Sequence, residues 1–316
     1  MTPLEFETAQ APKWSELEKL LMREERQLDP GRFLDLYRMC CEHLVLAQAR
    51  GFPANVIERL SIVTARAHQI VYRRSEFGLT RVLRVLAVTF PQAVRANWKY
   101  VLTAAVLLML PAIAIGVATY FRPDMILSVV DGRIAAEFEQ MYGPAAKSIG
   151  HARDSGDDWS MFGFYIMNNI GIAFQCYVTG VLFGLGSVFF LIWNGVYMGG
   201  IAGYVTARGF GTTFFSFVVT HSAFELTAIA LCGAAGLRVG RSILFPGRMA
   251  RLESMQIAAR DTSSIVFGSA VMLVIAAAFE AFWSSATWVM PAAKYACAAA
   301  CWALVLLFFI RRPHAN

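Results

Sequence analysis

Residues 218–236 read VVTHSAFELTAIALCGAAG. At 1.5 Å of rise per residue, a helix of about this length crosses the roughly 30 Å hydrocarbon layer of a bilayer. The apolar run is interrupted by an ionisable pair, His221 and Glu225, whose four-residue spacing places them on one face of a helix. A crossing helix that carries such a pair must supply it with internal partners or water, because a buried polar group without a hydrogen bond costs roughly several kcal/mol.

The composition supports the membrane reading. Of 316 residues, 57% are hydrophobic and 16% are charged, too apolar and charge-poor for an ordinary soluble protein. Arg and Glu concentrate in residues 1–98, and most of 99–316 consists of long uncharged runs. Two parts are expected: a cytoplasmic helical region at 1–98 and a transmembrane helical domain at 99–316. The opening MTPLEFETAQAPKWSELEKLL has no apolar core beside a basic start, so no signal peptide and no translocation of the N-terminus are expected.

Residues 14–95 read as helical. In DPGRFLDLYRMCCEHLVLAQARG, Asp29 is the expected N-cap, Pro30 the first helical residue and Gly51 the stop. A second helix begins at Pro53, with Val56, Ile57, Leu60, Val63, Ala67 and Ile70 forming its apolar stripe. Two or three such helices are expected to pack as a small bundle. His43 and His68 read as partly exposed helix residues. The following EFGLTRVLRVLAVTFPQAVRANWKY intersperses Arg81, Arg84, Arg95 and Lys99 among apolar residues, as an amphipathic helix in the membrane interface would.

Crossings are expected at about 100–120, 164–183, 186–206, 215–237, 264–283 and 292–310. A five-crossing alternative leaves 161–175 half-inserted or interfacial. The loop at 121–160 carries Asp124, Asp131, Glu137, Glu139, Asp154, Asp157 and Asp158 against four basic residues, so it is expected outside. The basic 238–260 loop and the tail RRPHAN are expected inside. The fold class is thus an all-α polytopic membrane protein, with six (alternatively five) transmembrane helices and both termini cytoplasmic. The basic balance orients the chain and meets anionic membrane lipids, with no nucleic acid implied.

Within the apolar runs, Gly195, Gly199 and Gly203 recur every four residues, and Gly180 and Gly184 repeat the spacing. Such faces let backbones approach closely where lipid supplies no hydrophobic drive, within one chain or between subunits of a homo-oligomer. Asn168, Asn169, Asn194, His221, Glu225 and Glu280 are expected to form an intramembrane polar network. On the His221 face, Ala228 and Cys232 continue towards Gly236.

A carboxylate at mid-membrane costs about 2.5–3.5 kcal/mol on insertion scales, which marks Glu225 and Glu280 for a use. Three uses compete: a structural network fixing helix register, a proton or ion pathway, and a catalytic metal site. HSAFE lacks the second histidine of a zinc-protease helix, and no phosphate loop, nucleophile elbow or paired-cysteine motif is present. The six cysteines are read as neither metal ligands nor disulfides. No catalytic residue, metal ligand or cofactor is assigned, and no enzyme is expected.

NNIGIAF at 168–174, GVLFGLGSVFFLIWNGVYMGG at 180–200, HSAFELTAIALCGAAGLRVG at 221–240 and EAF at 280–282 together resemble the stage II sporulation protein M family. By this resemblance Asn169, Gly184, Asn194, Gly195, His221, Glu225, Gly236 and Glu280 occupy the family's recurring positions. The resemblance implies a membrane anchor that holds peptidoglycan-remodelling partners. The long N-terminal helical region, and Ser222 where many members have glycine, resemble the form in non-sporulating bacteria, so a sporulation role is not implied. The expected function is an inner-membrane scaffold recruiting envelope or cytoplasmic proteins. The alternative is a permease or channel subunit that moves a small solute, ion or lipid by its intramembrane His, Glu and Asn groups.

Overall fold

A computed structural model describes residues 2–22, 29–71, 78–143 and 158–311. Of the expected loop acids, Asp154 and Asp157 lie outside the described residues, as do residues 312–316 of the basic tail. Every regular element among the described residues is helical. The chain forms two compact units, Met1–Arg81 and Val82–Asn316, and the division falls inside the stretch read as interfacial.

The first unit is a three-helix bundle of α1 (Pro3–Leu21), α2 (Pro30–Ala49) and α3 (Ala54–Val71). Helix α1 begins at Pro3 rather than near residue 14. The reason is a capping box: the Thr2 hydroxyl accepts from the Glu5 amide, and the Glu5 carboxylate accepts from the Thr2 amide, satisfying two donors that would otherwise lack partners. Asp29 caps α2 through the Gly31 amide, and Gly51 adopts φ +61° just beyond the helix, a left-handed turn that glycine makes without a Cβ clash. Trp14, Leu17, Leu36, Cys40, Leu60 and Ala67 are buried between the helices, each large aliphatic side chain contributing about 1.5–3 kcal/mol. The buried Trp14 indole donates to His43 Nδ1 at 2.9 Å, and Tyr37 meets His68 at 2.8 Å.

In the second unit, α4 (Leu79–Arg84), a π-turn at Val85–Thr89 and α5 (Phe90–Ala96) lead into the apolar helices. Phe90 is buried edge-on against Phe309, with ring centroids 5.3 Å apart. Arg95, in the segment read as interfacial, donates to the Phe309 and Arg311 carbonyls at 3.1 and 3.2 Å. Those carbonyls end a helix and lack intrahelical donors, so a cation is favoured there.

Among the described residues, five helices are long and apolar enough to cross a membrane: α6 (Trp98–Phe121), α9 (Leu185–Ala207), α10 (Gly211–Leu244), α11 (Arg251–Ala278, continued by a π-turn to Ser284) and α12 (Pro291–Ile310). Between α6 and α9 come a 3₁₀ turn, α7 (Gly132–Tyr142) and α8 (Asp158–Val178). Helix α8, which carries Asn168, Asn169 and Gln175, is not one of the five. It nevertheless lies along the bundle. Tyr165 packs with Ala277 and Ala281, and Gly180, just beyond its end, packs on Gly236.

Contacts give the helix directions. Gly195, Gly199 and Gly203 of α9 lie on Leu108, Ala112 and Gly116 of α6, so these two helices run parallel. Leu191 meets Gly233 and Ser187 meets Gly236, so α9 opposes α10. His221 meets Ser284 and Phe224 stacks on Phe279, so α10 opposes α11. With α8 counted, six helices of the unit alternate in direction, and Arg95 joins the start of the unit to the end of α12 on one face. Trp98 is exposed at that face, and Trp159 and Trp288 are exposed at the opposite one, and indole rings favour the two interfaces of a bilayer.

Candidate functional site

The polar groups of the membrane unit gather where α8, α10, α11 and α12 meet. His221 lies ten residues into α10, about 15 Å along its axis. It is buried, and its Nε2 faces Glu225 Oε2 at 3.8 Å across one helical turn. Its other ring nitrogen, Nδ1, is 3.1 Å from the Ser284 hydroxyl. Glu280 approaches from the π-turn at Phe279–Ser284 that ends α11. One donor atom each from His221, Glu225 and Glu280 lies within 4.8 Å of the others.

Asn169, buried on α8, donates from Nδ2 to Glu280 Oε2 at 3.3 Å, and Asn168 donates to Asn169 Oδ1 at 2.9 Å. The second bond orients the Asn169 amide so that its Nδ2 points at the carboxylate. Asn194 is not brought to the cluster. Its Nδ2 donates to the Phe190 carbonyl one turn back at 2.7 Å, because α9 presents its glycine side to α6 and its Leu191 side to α10.

Two members carry little sequence signal. Lys294 is buried at the start of α12, and its ammonium donates to the Ser284 carbonyl at 2.6 Å. Its own carbonyl accepts from Thr220 at 3.3 Å. A lone lysine near the end of a crossing helix reads by default as one that snorkels to the interface, so only its tertiary position reveals it. Ser284 is equally ordinary in sequence, yet its hydroxyl meets His221 and its carbonyl meets Lys294. It therefore ties α10 and α12 to the end of α11.

The glycines serve close approach. A methyl group on Gly195, Gly199 or Gly203 would overlap the Leu108, Ala112 or Gly116 carbonyl oxygen, and one on Gly180 would overlap the Gly236 backbone. Gly116 and Thr119 are the partners on α6, and the Thr119 hydroxyl donates across the seam to the Gly200 carbonyl at 3.1 Å. Gly184 holds φ +84° in the turn between α8 and α9, a conformation that favours glycine.

At the face carrying α7, Glu139 accepts from the Tyr204 hydroxyl and from Arg208 Nε, the latter at 2.7 Å. These two donors hold the Glu139 carboxyl below the usual carboxylate range. Tyr142, also on α7, is buried against Phe214 and Phe217, and burial pushes its hydroxyl pKa up.

No curated protein and no solved structure matches the chain. Residues 4–73 match a domain of unknown function (DUF8413), a span that covers the three-helix bundle. Residues 104–285 match stage II sporulation protein M, a span that takes in the glycine seam, Asn169, His221, Glu225 and Glu280. That match runs over more than half of the chain, and with its helical membrane architecture the chain belongs to the stage II sporulation protein M family.

Proposed function

We propose that the protein is a non-enzymatic scaffold of the bacterial inner membrane that recruits partner proteins for peptidoglycan-related processes at the cell envelope. The observation that carries this reading is the way polar groups are used inside the chain. Asn168 bonds Asn169, Asn169 bonds Glu280, and Ser284 meets both His221 and Lys294. The resulting polar cluster draws on four helices, and the glycine faces are occupied by backbone of the same chain. A membrane unit so joined suits a rigid anchor, leaving the N-terminal bundle and the α7 face to meet partners. Family membership supports the envelope assignment. The excess of Arg and Lys in the N-terminal region and in residues 238–260, which take in the end of α10, the short turn at 245–250 and the start of α11, supports a cytoplasmic placement of both.

Affinity purification of the full chain from native membranes tests the proposal. A stoichiometric envelope or cytoplasmic partner is the expected result, and repeated recovery of the chain alone would overturn it.

The second reading is a permease or channel subunit, favoured by the buried His221 and the half-buried Glu225 and Glu280 within the membrane unit. Purified chain in vesicles would then move protons, ions, lipid or a small solute. Flux equal to that of empty vesicles would dismiss this reading, and flux unchanged by Glu225→Gln would remove Glu225 from the pathway.

A further inference from the structure

We infer that His221, Glu225 and Glu280 bind one divalent first-row metal ion, with zinc the best match to their donors. One imidazole nitrogen and two carboxylate oxygens, contributed by α10 and by the π-turn of α11, lie within 4.8 Å of one another. Donors spaced evenly at that limit stand about 2.8 Å from a common centre, and zinc bonds to nitrogen and oxygen at about 2.0–2.2 Å. Closing the site therefore takes less than about 1 Å of inward movement per donor, within reach of small side-chain rotations.

Charge gives the site its reason. Two ionised carboxylates beside each other in a low-dielectric surrounding repel, and each pays heavily for lost hydration. A divalent cation neutralises both at once. The 3.8 Å between His221 Nε2 and Glu225 Oε2 is longer than a hydrogen bond, and a bound ion would join the two atoms by contracting that gap.

The surrounding groups are placed as the outer shell of such a site requires. His221 Nδ1 lies 3.1 Å from the Ser284 hydroxyl, and the tautomer that donates there presents the Nε2 lone pair towards Glu225. Asn169 Nδ2 donates to Glu280 Oε2 at 3.3 Å, orienting the carboxylate as an outer-shell partner does. Glu280 and Ser284 both belong to the π-turn at Phe279–Ser284, and such turns recur at functional sites because the extra residue re-aims its neighbours.

The donor set selects the metal. An imidazole with two carboxylates matches the histidine and carboxylate donors that zinc takes, and affinity at nitrogen and oxygen sites rises from manganese to copper and falls again at zinc, so the zinc assignment rests on the donor set and on zinc's tolerance of the site's geometry. Calcium and magnesium prefer all-oxygen surroundings. The inference is independent of the scaffold proposal, since an anchor and a permease could each use an ion that ties α10 to α11.

The test uses the full chain, purified in detergent with a tag free of histidine. Metal analysis as isolated should find stoichiometric zinc, and chelator-stripped, monodisperse protein should take up Zn²⁺ alone in a calorimetric titration. X-ray absorption should show nitrogen and oxygen donors. Asn169→Leu should weaken Zn²⁺ binding about 10- to 100-fold, and Glu280→Gln should abolish it. If Glu280→Gln does not fold, the wild-type titration and Asn169→Leu decide. Stripped wild-type protein that binds no zinc at millimolar concentration, zinc held by sulfur, or wild-type affinity in folded Glu280→Gln would each overturn the inference.

Discussion

Gly199→Ala places one methyl group in the tightest part of the membrane unit. That methyl would overlap the carbonyl oxygen, carbonyl carbon and Cα of Ala112 on α6, and backbone cannot rotate away as a flexible side chain can. The helices must separate, and overpacking of this kind costs about 1–3 kcal/mol. Separation also stretches the Thr119 hydroxyl bond to the Gly200 carbonyl, now 3.1 Å, worth about 0.5–1.5 kcal/mol. Against these stands the gain of about 1 kcal/mol that alanine brings to a helix interior. The expected net loss is about 2 kcal/mol.

Gly171 on α8 is the internal control, because a methyl there meets no atom within 4 Å. Gly171→Ala should therefore be neutral or more stable by up to about 1 kcal/mol. Equilibrium unfolding of the full chain in mixed micelles, followed by loss of helical circular dichroism, separates the two variants. Equal stability of Gly199→Ala and Gly171→Ala would refute the close-contact reasoning.

Three further outcomes follow from named contacts. Lys294→Met removes a buried ammonium but leaves the Ser284 carbonyl without its 2.6 Å donor, so a loss of about 1–3 kcal/mol is expected in the same unfolding assay. In the N-terminal bundle, burial lowers the His43 pKa below its usual 6.5. The unfolded chain then binds the proton more readily, so stability is full above about pH 6.5 and falls as the pH drops through the folded value. Hydrogen-exchange protection factors, taken relative to the intrinsic rate at each pH, should fall over residues 3–21 and 30–49 on mild acidification in the wild type, and His43→Gln should remove that histidine-dependent fall. For Glu139, donation by Tyr204 and Arg208 lowers the carboxyl pKa. Its contribution is present above the usual carboxylate pKa of 4.5 and is lost as the pH falls through the lower folded value. Exchange over α7 should accordingly be faster in Glu139→Gln at neutral pH, and unchanged exchange would show that the clasp contributes nothing.

Much of the architecture is legible in the chain itself, because each legible feature is local. Uncharged runs long enough for a bilayer mark α6 and α9–α12, and Asp29, Pro30 and Gly51 bracket α2 with residues suited to a cap, a first turn and a left-handed stop. A four-residue spacing places His221 with Glu225, and another places Gly195 with Gly199 and Gly203. Helix α8 is harder to read. Asn168, Asn169 and Gln175 dilute its apolar character, yet Asn169 is bonded across the fold to Glu280 and Asn168 to Asn169.

The partners themselves are a matter of tertiary structure. In lipid, every outward face is similarly apolar, so hydrophobic periodicity does not tell one neighbouring helix from another. Nothing near Asn169 in sequence points to Glu280, and nothing near Ser284 points to both His221 and Lys294. Asn194 has the same residue type as Asn169 but bonds its own helix, because the rotation of α9 is set by the glycine seam on α6. Arg95 likewise has the look of a lipid-facing arginine, and it ends on the last carbonyls of α12. Sequence alone determined which segments are helical, which are apolar enough to cross, and which polar residues share a helix face, since helical geometry relates residues a few positions apart. Helix packing decided which of those faces meet, because contacts between distant segments depend on close backbone approach and on satisfying buried polar groups, neither of which is encoded in local spacing.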